Sequence, residues 1–323
     1  MYQWYYLIKI QNLTKRYQKL TAVDSLNLEI AKNEVFGLLG PNGAGKTTVI
    51  HMLATLLKPT SGTAIVNGYD IITDPGKVRS SIGIVFQAPS SDDMMTGYEN
   101  LRVHAFLYQV PSSQRQKRIQ AVLELVGLAD RQHDQVKKYS GGMRRRLEIA
   151  RGLLHKPKVM FLDEPTLGLD PSSREMMWKY IEKLVKEEEM TLILTTHYME
   201  EADHLCNRIG IIDQGKIIAL DTPANLKRSV GGDIVKLKTR SHPDMEKLQK
   251  LAYVRKVELV DSDVVLYVDN ARLNIADILQ HVKAEHVEFR SPDLNDVFLK
   301  LASKNIKEDG EGGFMERYAQ YGK

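Results

Sequence analysis

Gly40-Pro41-Asn42-Gly43-Ala44-Gly45-Lys46-Thr47 stands between a short apolar run at 34–39 and a segment of helical character at 43–58. This stretch matches the G-x-x-x-x-G-K-[ST] phosphate loop. The motif requires, in order, a strand, a glycine-rich turn, a lysine, a hydroxyl residue and a helix. Glycines let backbone N–H groups turn toward phosphate oxygens at the positive end of the helix. Lys46 then reaches the outer phosphates and Thr47 can bind Mg²⁺. The alternative is an ordinary glycine-rich turn.

A second apolar run, at 159–162, ends in Asp163 and Glu164. Ligands bind where strands of an α/β sheet end, so two carboxylates at that point suggest chemistry. Asp163 suits a Mg²⁺ role beside a phosphate loop, and Glu164 can polarise the water that attacks the γ-phosphate. The alternative is a helix or turn cap in which Pro165 and Thr166 take part.

The stretch Tyr139-Ser140-Gly141-Gly142-Met143 precedes a helical pattern in which Ser140 is placed as the N-cap. The two glycines destabilise the first turn, and the arginines at 144–146 lie near the positive end of the helix dipole. An anion bound there would offset both costs. Taken singly, the arginines are expected to form a solvated face. The apolar face of this helix is expected to join the core; it contains Met143, Leu147, Ala150 and Leu154.

The rest of residues 1–225 is predicted to form a mixed α/β domain. Strands are predicted at 8–13, 26–30, 34–39, 82–86, 159–162 and 191–195, and a hairpin joins 209–213 to 216–220 around Gln214 and Gly215. Helices are predicted at 173–189 and within 101–127, where Pro111 separates two helical patterns and Ser112 could cap the second. The continuous apolar runs indicate strands buried in a parallel sheet.

The C-terminal part has the order strand, helix, strand, strand, helix, strand. The predicted ranges are 234–239, 243–251, 254–260, 264–269, 273–284 and 286–290, followed by a helix at 293–302. This order indicates a small ferredoxin-like module. From 303 to 323 the chain is charged and glycine-rich, which predicts a flexible tail.

Composition narrows the class of protein. A chain of 323 residues with 43% hydrophobic and 27% charged residues can bury a core and form two domains. The net charge of +4 without a long basic run gives no support for coating nucleic acid. Cys206, the single cysteine, excludes an internal disulfide. With one cysteine and no cysteine and histidine spacing that resembles a zinc site, a cytoplasmic location is expected. No apolar stretch reaches the ~20 residues of a membrane span, so any membrane pathway must come from another chain.

Three motifs have the order and spacing of ABC nucleotide-binding domains: the phosphate loop, Ser140-Gly141-Gly142 and the strand ending in Asp163-Glu164. Residues 8–226 resemble such a domain. The resemblance implies a mixed-sheet core, an antiparallel β subdomain and a helical subdomain at about 88–155. Residues 226–302 would then form a C-terminal α+β module for regulation or dimerisation. Tyr139 and Met143 replace the widespread leucine and glutamine of the signature. Together with the arginine run and 291–298, they resemble the drug-exporter branch of daunorubicin-resistance ATPases.

The resemblance also implies roles for individual residues. Tyr17 would stack on adenine, Gln87 would sense Mg²⁺ and the membrane subunit, and His197 would contact the γ-phosphate. The predicted catalytic residues are Glu164, His197, Gln87 and Lys46, and the predicted Mg²⁺ contacts are Thr47, Gln87 and Asp163. The predicted ATP contacts are Tyr17, Gly40, Pro41, Asn42, Gly43, Ala44, Gly45, Lys46, Thr47, Thr48, Ser140, Gly141, Gly142 and Asp170. Taken one by one, Tyr17 and Gln87 could be surface residues and His197 a structural hydrogen-bonder.

The family's architecture implies a head-to-tail homodimer with two ATP molecules between the subunits, where Leu167-Gly168-Leu169-Asp170 crosses the interface. A separate membrane permease would dock on 88–109 and hold the dimer at the inner face of the membrane, and no nucleic-acid partner is expected. One alternative is a soluble ABC ATPase acting on nucleic acid or ribosomes, but the long coiled coil or second cassette usual in that class is missing. Another alternative is a phosphate-loop kinase or GTPase. The motif at Ser140 and the aromatic residue Tyr17 are evidence against this class.

Overall fold

The computed structural model describes residues 6–239, 244–260 and 263–309. The chain divides between Leu220 and Asp221 into two compact units, a few residues before the boundary expected at 225. None of the helices in these described ranges is long and apolar enough to cross a bilayer.

The first unit, over its described residues, contains two sheets. Its strands are β1 (Tyr6–Tyr17), β2 (Leu20–Ala31), β3 (Val35–Leu39), β4 (Ser61–Val66), β5 (Tyr69–Asp70), β6 (Ile82–Val85), β7 (Val159–Asp163), β8 (Thr191–Thr196), β9 (Arg208–Asp213) and β10 (Lys216–Asp221). An antiparallel sheet has the order β2-β1-β4-β5, and a six-stranded sheet has the order β10-β9-β3-β8-β7-β6. In the six-stranded sheet the pairs from β9 to β6 are all parallel. Every residue of β3, β7 and β8 is buried, as the continuous apolar runs predicted.

α-Helices complete this unit. Between residues 6 and 220 they are α1 (Lys46–Leu53), α2 (Pro75–Ser81), α3 (Gly97–Leu107), α4 (Ser112–Leu125), α5 (Gly141–Leu153), α6 (Pro171–Glu188) and α7 (Met199–Leu205). α1 begins later than the predicted 43 because Gly43 and Gly45 adopt positive φ angles of 78° and 108° before it. It ends before the predicted 58, and Thr55 has a positive φ of 61° just after its end. The prediction that Ser112 caps α4 is wrong, since Pro111 occupies the N-cap position and Ser112 is the first helical residue.

The parallel sheet brings separate parts of the sequence to one edge. The phosphate loop follows β3, Gln87 follows β6, Glu164 follows β7 and His197 follows β8. Because the carboxyl ends of neighbouring parallel strands lie side by side, these four segments meet at the same edge of the sheet. The core beneath them is apolar, with Phe36, Ile50, Phe161 and Ile193 packed in one cluster.

The second unit begins with a short helix and continues as an antiparallel sheet with helices. Its elements are α8 (Pro223–Arg228), β11 (Asp233–Thr239), α9 (Met245–Gln249), β12 (Val254–Val260), β13 (Asp263–Val268), α10 (Ala271–His281), β14 (Ala284–Arg290) and α11 (Leu294–Asp309). The sheet order β12-β13-β11-β14 and the alternation of strands and helices agree with the predicted ferredoxin-like order. α11 continues past the expected end at 302, and residues 310–323 of the predicted tail lie outside the described residues.

Candidate functional site

The phosphate loop is pressed against neighbouring backbone at two glycines. A side chain on Gly45 would bring its Cβ to 2.4 Å from the carbonyl oxygen of Ala22, and one on Gly40 would come to 2.3 Å from that of Ile212. The turn after β9 adds a further brace, since the Gly215 N–H donates to the Ala44 carbonyl at 3.0 Å. Gly40 and Gly45 are therefore required by packing, whereas Gly43 is favoured only by its positive φ of 78°.

Lys46 is the first residue of α1 and only 5% exposed. Its ammonium donates to the carbonyls of Gly40 at 2.7 Å and Pro41 at 3.0 Å, and lies 3.7 Å from Glu164 Oε1. Burial lowers the pKa of Lys46, although the carboxylates of Glu164 and Asp163 act to raise it. A positive charge thus sits in a dry environment inside the phosphate loop, where its interaction with phosphate is stronger than in water.

Thr47 and Asp163 bring two hard oxygen donors together. The Thr47 hydroxyl donates to Asp163 Oδ1 at 3.3 Å, and the Thr195 hydroxyl donates to the same oxygen. Asp163 is 2% exposed, so its position is fixed by the sheet. Mg²⁺ prefers one or two protein oxygens together with waters and substrate phosphates. A hydroxyl and a carboxylate beside the phosphate loop fit that preference.

Glu164 follows β7 in a strained backbone conformation. Its φ is 48°, a left-handed value that costs a non-glycine residue roughly 1–3 kcal/mol. Its N–H is held by the carbonyl and the hydroxyl of Thr195, both at 3.1 Å. Residues in such conformations concentrate at active sites, and here the turn directs a 7% exposed side chain into the site.

The Glu164 carboxylate is the meeting point of the predicted catalytic residues. Gln87 Nε2 donates to its Oε2 at 3.3 Å, and His197 Nδ1 lies 3.3 Å from its Oε1, the oxygen nearest Lys46. Burial by itself raises the pKa of Glu164, but the nearby imidazole of His197 and the charge of Lys46 outweigh burial and lower the pKa. The carboxylate is therefore ionised at neutral pH and can accept a proton or orient a water molecule.

The other predicted nucleotide contacts lie on the surface of the unit. Tyr17 is 44% exposed at the end of β1, and the Lys15 ammonium is 5.1 Å from its ring centre. Ser140 is exposed and caps α5 by accepting from the Met143 N–H at 3.3 Å, as predicted. Asp170 is also exposed and caps α6. Thr48 is half-buried in the first turn of α1.

Arg145 contradicts the expectation of a solvated arginine face. It is 6% exposed and donates to the carbonyls of Asp163, Glu164 and Pro165 at 2.7–2.8 Å. Consecutive helical residues point about 100° apart, so three arginines in a row cannot all face solvent when the helix is packed on two sides. The signal available in the sequence was the apolar Ile149, which lies four positions after Arg145 on the same face of the helix and is also buried.

Glu201 is a further buried carboxyl that the sequence analysis missed. It lies in the first turn of α7, is fully buried, and accepts from the Thr166 hydroxyl at 2.8 Å and the Trp178 indole at 3.2 Å. Burial raises its pKa despite these hydrogen bonds. It joins the segment after Glu164 to the helix that follows His197.

Replacing Glu201 by glutamine is expected to change the pH dependence of stability. A raised pKa in the folded state means that wild-type stability is complete below the ordinary pKa of glutamate, about 4.3, and falls as the pH rises. The introduced glutamine has no proton to lose and keeps an oxygen for Thr166. The unfolding midpoint of Glu201→Gln minus that of wild type should therefore be larger at pH 8 than at pH 5 in thermal melts.

The matched control for this measurement is Glu124→Gln. Glu124 is exposed on α4, so its midpoint difference from wild type should be the same at both pH values. An equal difference at pH 5 and pH 8 for Glu201→Gln would show that Glu201 is ionised throughout.

Comparisons with known proteins point to one family. The family model of the ABC transporter matches residues 23–167, and that of the C-terminal domain of DrrA1-3-like ATP-binding proteins matches 222–302. The linearmycin resistance ATP-binding protein LnrL of Bacillus subtilis is 36% identical over 312 residues, covering 94% of this chain and 100% of LnrL. The daunorubicin resistance ATP-binding protein DrrA2 of Streptomyces coeruleorubidus is 40% identical over 306 residues, covering 92% and 95%. A dimeric structure of the ATP-binding cassette MJ0796 bound to ADP and phosphate superposes with a TM-score of 0.60 at 28% identity, covering 67% of this chain and 98% of that one.

Proposed function

Since the chain belongs to the ABC transporter family of ATP-binding subunits, we propose that it hydrolyses ATP as a head-to-tail homodimer to drive export through a separate membrane subunit. The observation that carries the proposal is the convergence of Lys46, Gln87 and His197 on one buried carboxylate, Glu164. Each of these residues follows a different strand, so their meeting is a property of the folded sheet.

The residues divide the work of hydrolysis among them. The N–H groups of the phosphate loop and the Lys46 ammonium hold the outer phosphates, and the ionised Glu164 orients the attacking water. His197 and Gln87 lie against Glu164, where they can respond to the γ-phosphate and its loss.

Thr47 and Asp163 would hold Mg²⁺, with Gln87 completing the predicted set. The bound ion would neutralise charge on the β- and γ-phosphate oxygens. The proposal is supported by the adjacent hydroxyl and carboxylate oxygens of Thr47 and Asp163, which are 3.3 Å apart.

The homodimer is proposed because residues 140–142 are suited to binding an anion. In a homodimer this anion would be the ATP held by the phosphate loop of a second copy. Ser140 and Gly141 are exposed at the N-terminus of α5, where N–H groups face outward and the helix dipole is positive. In the head-to-tail arrangement this end would cover the ATP held by Lys46 of a second copy. The related MJ0796 structure is described as dimeric and bound to ADP and phosphate, which supports this arrangement.

A membrane permease is the proposed partner at the cytoplasmic face of the membrane. Three large apolar residues on one face of α3 are exposed: Val103 by 43%, Phe106 by 50% and Leu107 by 69%. A cluster of this kind marks an interaction surface, and it follows the loop that contains Gln87. A cytoplasmic helix of the permease placed there would contact both the apolar face and the loop.

The proposed cargo is a drug, lipid or similar small molecule. It is supported by the names of the relatives, which give resistance to linearmycin or daunorubicin. The second unit is proposed to regulate or stabilise the dimer.

Leu107→Glu tests the permease contact. Burying a leucine is worth roughly 1.5–3 kcal/mol, so a charge at this position should weaken permease binding at least ~10-fold. ATP hydrolysis by the isolated protein should be unchanged, because Leu107 lies on the exposed face of α3. The measurement is co-purification of a polytopic membrane protein from detergent extracts with tagged wild type and variant. Leu273→Glu, at a leucine that is 76% exposed in the second unit, is the control expected to retain the permease. If Leu107→Glu retains it equally well, α3 is not the docking surface.

A further inference from the structure

We propose that Arg145 is a positioning residue that ties the helix beginning at Ser140 to the catalytic carboxylate of its own subunit. The inference rests on the proposed dimer, in which Ser140 contacts the nucleotide of the other subunit. It adds a physical link between the two nucleotide sites.

The guanidinium of Arg145 reaches two loops at once. Nε donates to the Pro165 carbonyl at 2.7 Å, and Nη2 donates to those of Asp163 at 2.7 Å and Glu164 at 2.8 Å. Nη1 donates to the carbonyl of Phe86, directly before Gln87. A rigid fork with five N–H donors suits this task, whereas a lysine offers a single point charge.

These bonds support the backbone at the point where β7 ends. Asp163 is the last residue of β7, and Glu164 leaves the strand in its left-handed conformation. Without Arg145 the Glu164 carbonyl would keep only the N–H of Leu167 at 3.2 Å, and each buried hydrogen bond lost here costs about 1–3 kcal/mol. Because Arg145 is itself buried, its charge depends on these carbonyls and on nearby carboxylates, of which Glu148 contributes most. The guanidinium and the turn that carries Glu164 therefore fix one another.

The same helix also holds the segment after Gln87. Glu148 accepts from the N–H groups of Ser90 at 3.2 Å and Ser91 at 2.9 Å, and Arg151 donates to Glu148 and to the Ser90 hydroxyl. α5 thus contacts the loops of both Gln87 and Glu164. Arg145 lies five residues after Ser140, about 7.5 Å along the helix axis. A displacement of the Ser140 end by a nucleotide on the other subunit would be transmitted to Glu164 through this side chain.

Arg145→Lys keeps the charge and removes the fork. We expect turnover at saturating ATP to fall at least ~10-fold while ATP affinity stays within about twofold, because Lys46 and its loop are untouched. Arg144→Lys is the matched control, at an arginine paired with Asp93 on the outside of the same helix, and should keep turnover within about twofold. Arg145→Gln is made in parallel, and the variant whose unfolding midpoint is closer to wild type is used below. Unchanged turnover, or an equal loss of ATP affinity, would overturn the proposal.

Mixed dimers, isolated through two different tags, decide on which site Arg145 acts. The reference pairs a Lys46→Ala chain with a Ser140→Arg chain, which leaves one intact composite site. If this reference is inactive, the head-to-tail dimer itself fails, whatever Arg145 does. If it is active, the Arg145 variant is paired with each of the two chains in turn.

When the Arg145 variant is paired with a Ser140→Arg chain, the surviving site contains the Glu164 and the unaltered Arg145 of the Ser140→Arg chain. We therefore expect turnover equal to that of the reference dimer. With a Lys46→Ala partner, the surviving site uses the Glu164 of the Arg145 variant itself, so turnover should be lower at least ~10-fold. A reversed pattern would show that Arg145 acts on the opposite site through Ser140. Equal losses in both dimers would show a general structural role and would also overturn the proposal.

Discussion

Lys46→Ala is expected to abolish ATP turnover, lowering it by roughly 10²–10³-fold or more, the loss typical when a preorganised charge is removed from a transition state. The ammonium is held by Gly40 and Pro41, is 5% exposed, and in the proposed function contacts the outer phosphates. The loop at 40–47 contains no other cation. ATP hydrolysis measured by phosphate release at saturating Mg²⁺ checks this outcome.

The loss should not come from unfolding. Burial lowers the pKa of Lys46, which means that the folded protein holds this charge at a cost. The substitution also leaves the carbonyls of Gly40 and Pro41 and the carboxylate of Glu164 without their partner, so thermal melts are needed to show that Lys46→Ala is folded at the assay temperature. Lys77→Ala is the control, because Lys77 is 65% exposed in its side chain and pairs with Asp74 on the surface. Turnover by Lys46→Ala within tenfold of wild type would remove Lys46 from the site.

Glu164→Gln is expected to stop hydrolysis while keeping ATP bound. Loss of a general base costs about 10²–10⁴ in rate, and glutamine fills the same volume against Gln87 and His197. The substitution also removes a negative charge that faces the phosphates. ATP-bound dimers should accumulate, because they form but are not taken apart by hydrolysis.

Light scattering with saturating ATP and Mg²⁺ measures this accumulation. Glu124→Gln, at an exposed glutamate on α4, should hydrolyse ATP at the wild-type rate and show no excess of dimer. A Glu164→Gln protein that binds ATP and remains monomeric would count against the proposed dimer.

Local patterns were sufficient for the elements that carry the site. The strand before the phosphate loop, the strand ending at Asp163 and the Ser140 cap are confirmed, since each is decided within a few residues. The turn at Gln214 and Gly215 is also confirmed, and both residues have the positive φ that a tight hairpin needs. The roles assigned to Tyr17, Gln87, His197 and Asp170 stay predictions.

What sequence reasoning missed depends on contacts between distant segments. Arg145 was expected on the surface because the carbonyls that accept its hydrogen bonds come from β7 and from the end of β6. Glu201 needs Thr166 and Trp178, which lie on other elements. The short elements β4, β5 and α2 were also missed, because a few residues interrupted by Gly62 and Gly68 give no period to detect.

The central claim is that one ATP is bound by Lys46 of one subunit and Ser140 of another. An experimental structure of Glu164→Gln with ATP and Mg²⁺ tests it most directly. The account predicts two nucleotides in one dimer, each contacted by the Lys46 of one copy and the Ser140 of its neighbour. A nucleotide held at Lys46 while every Ser140 in the particle lies away from any phosphate would contradict it.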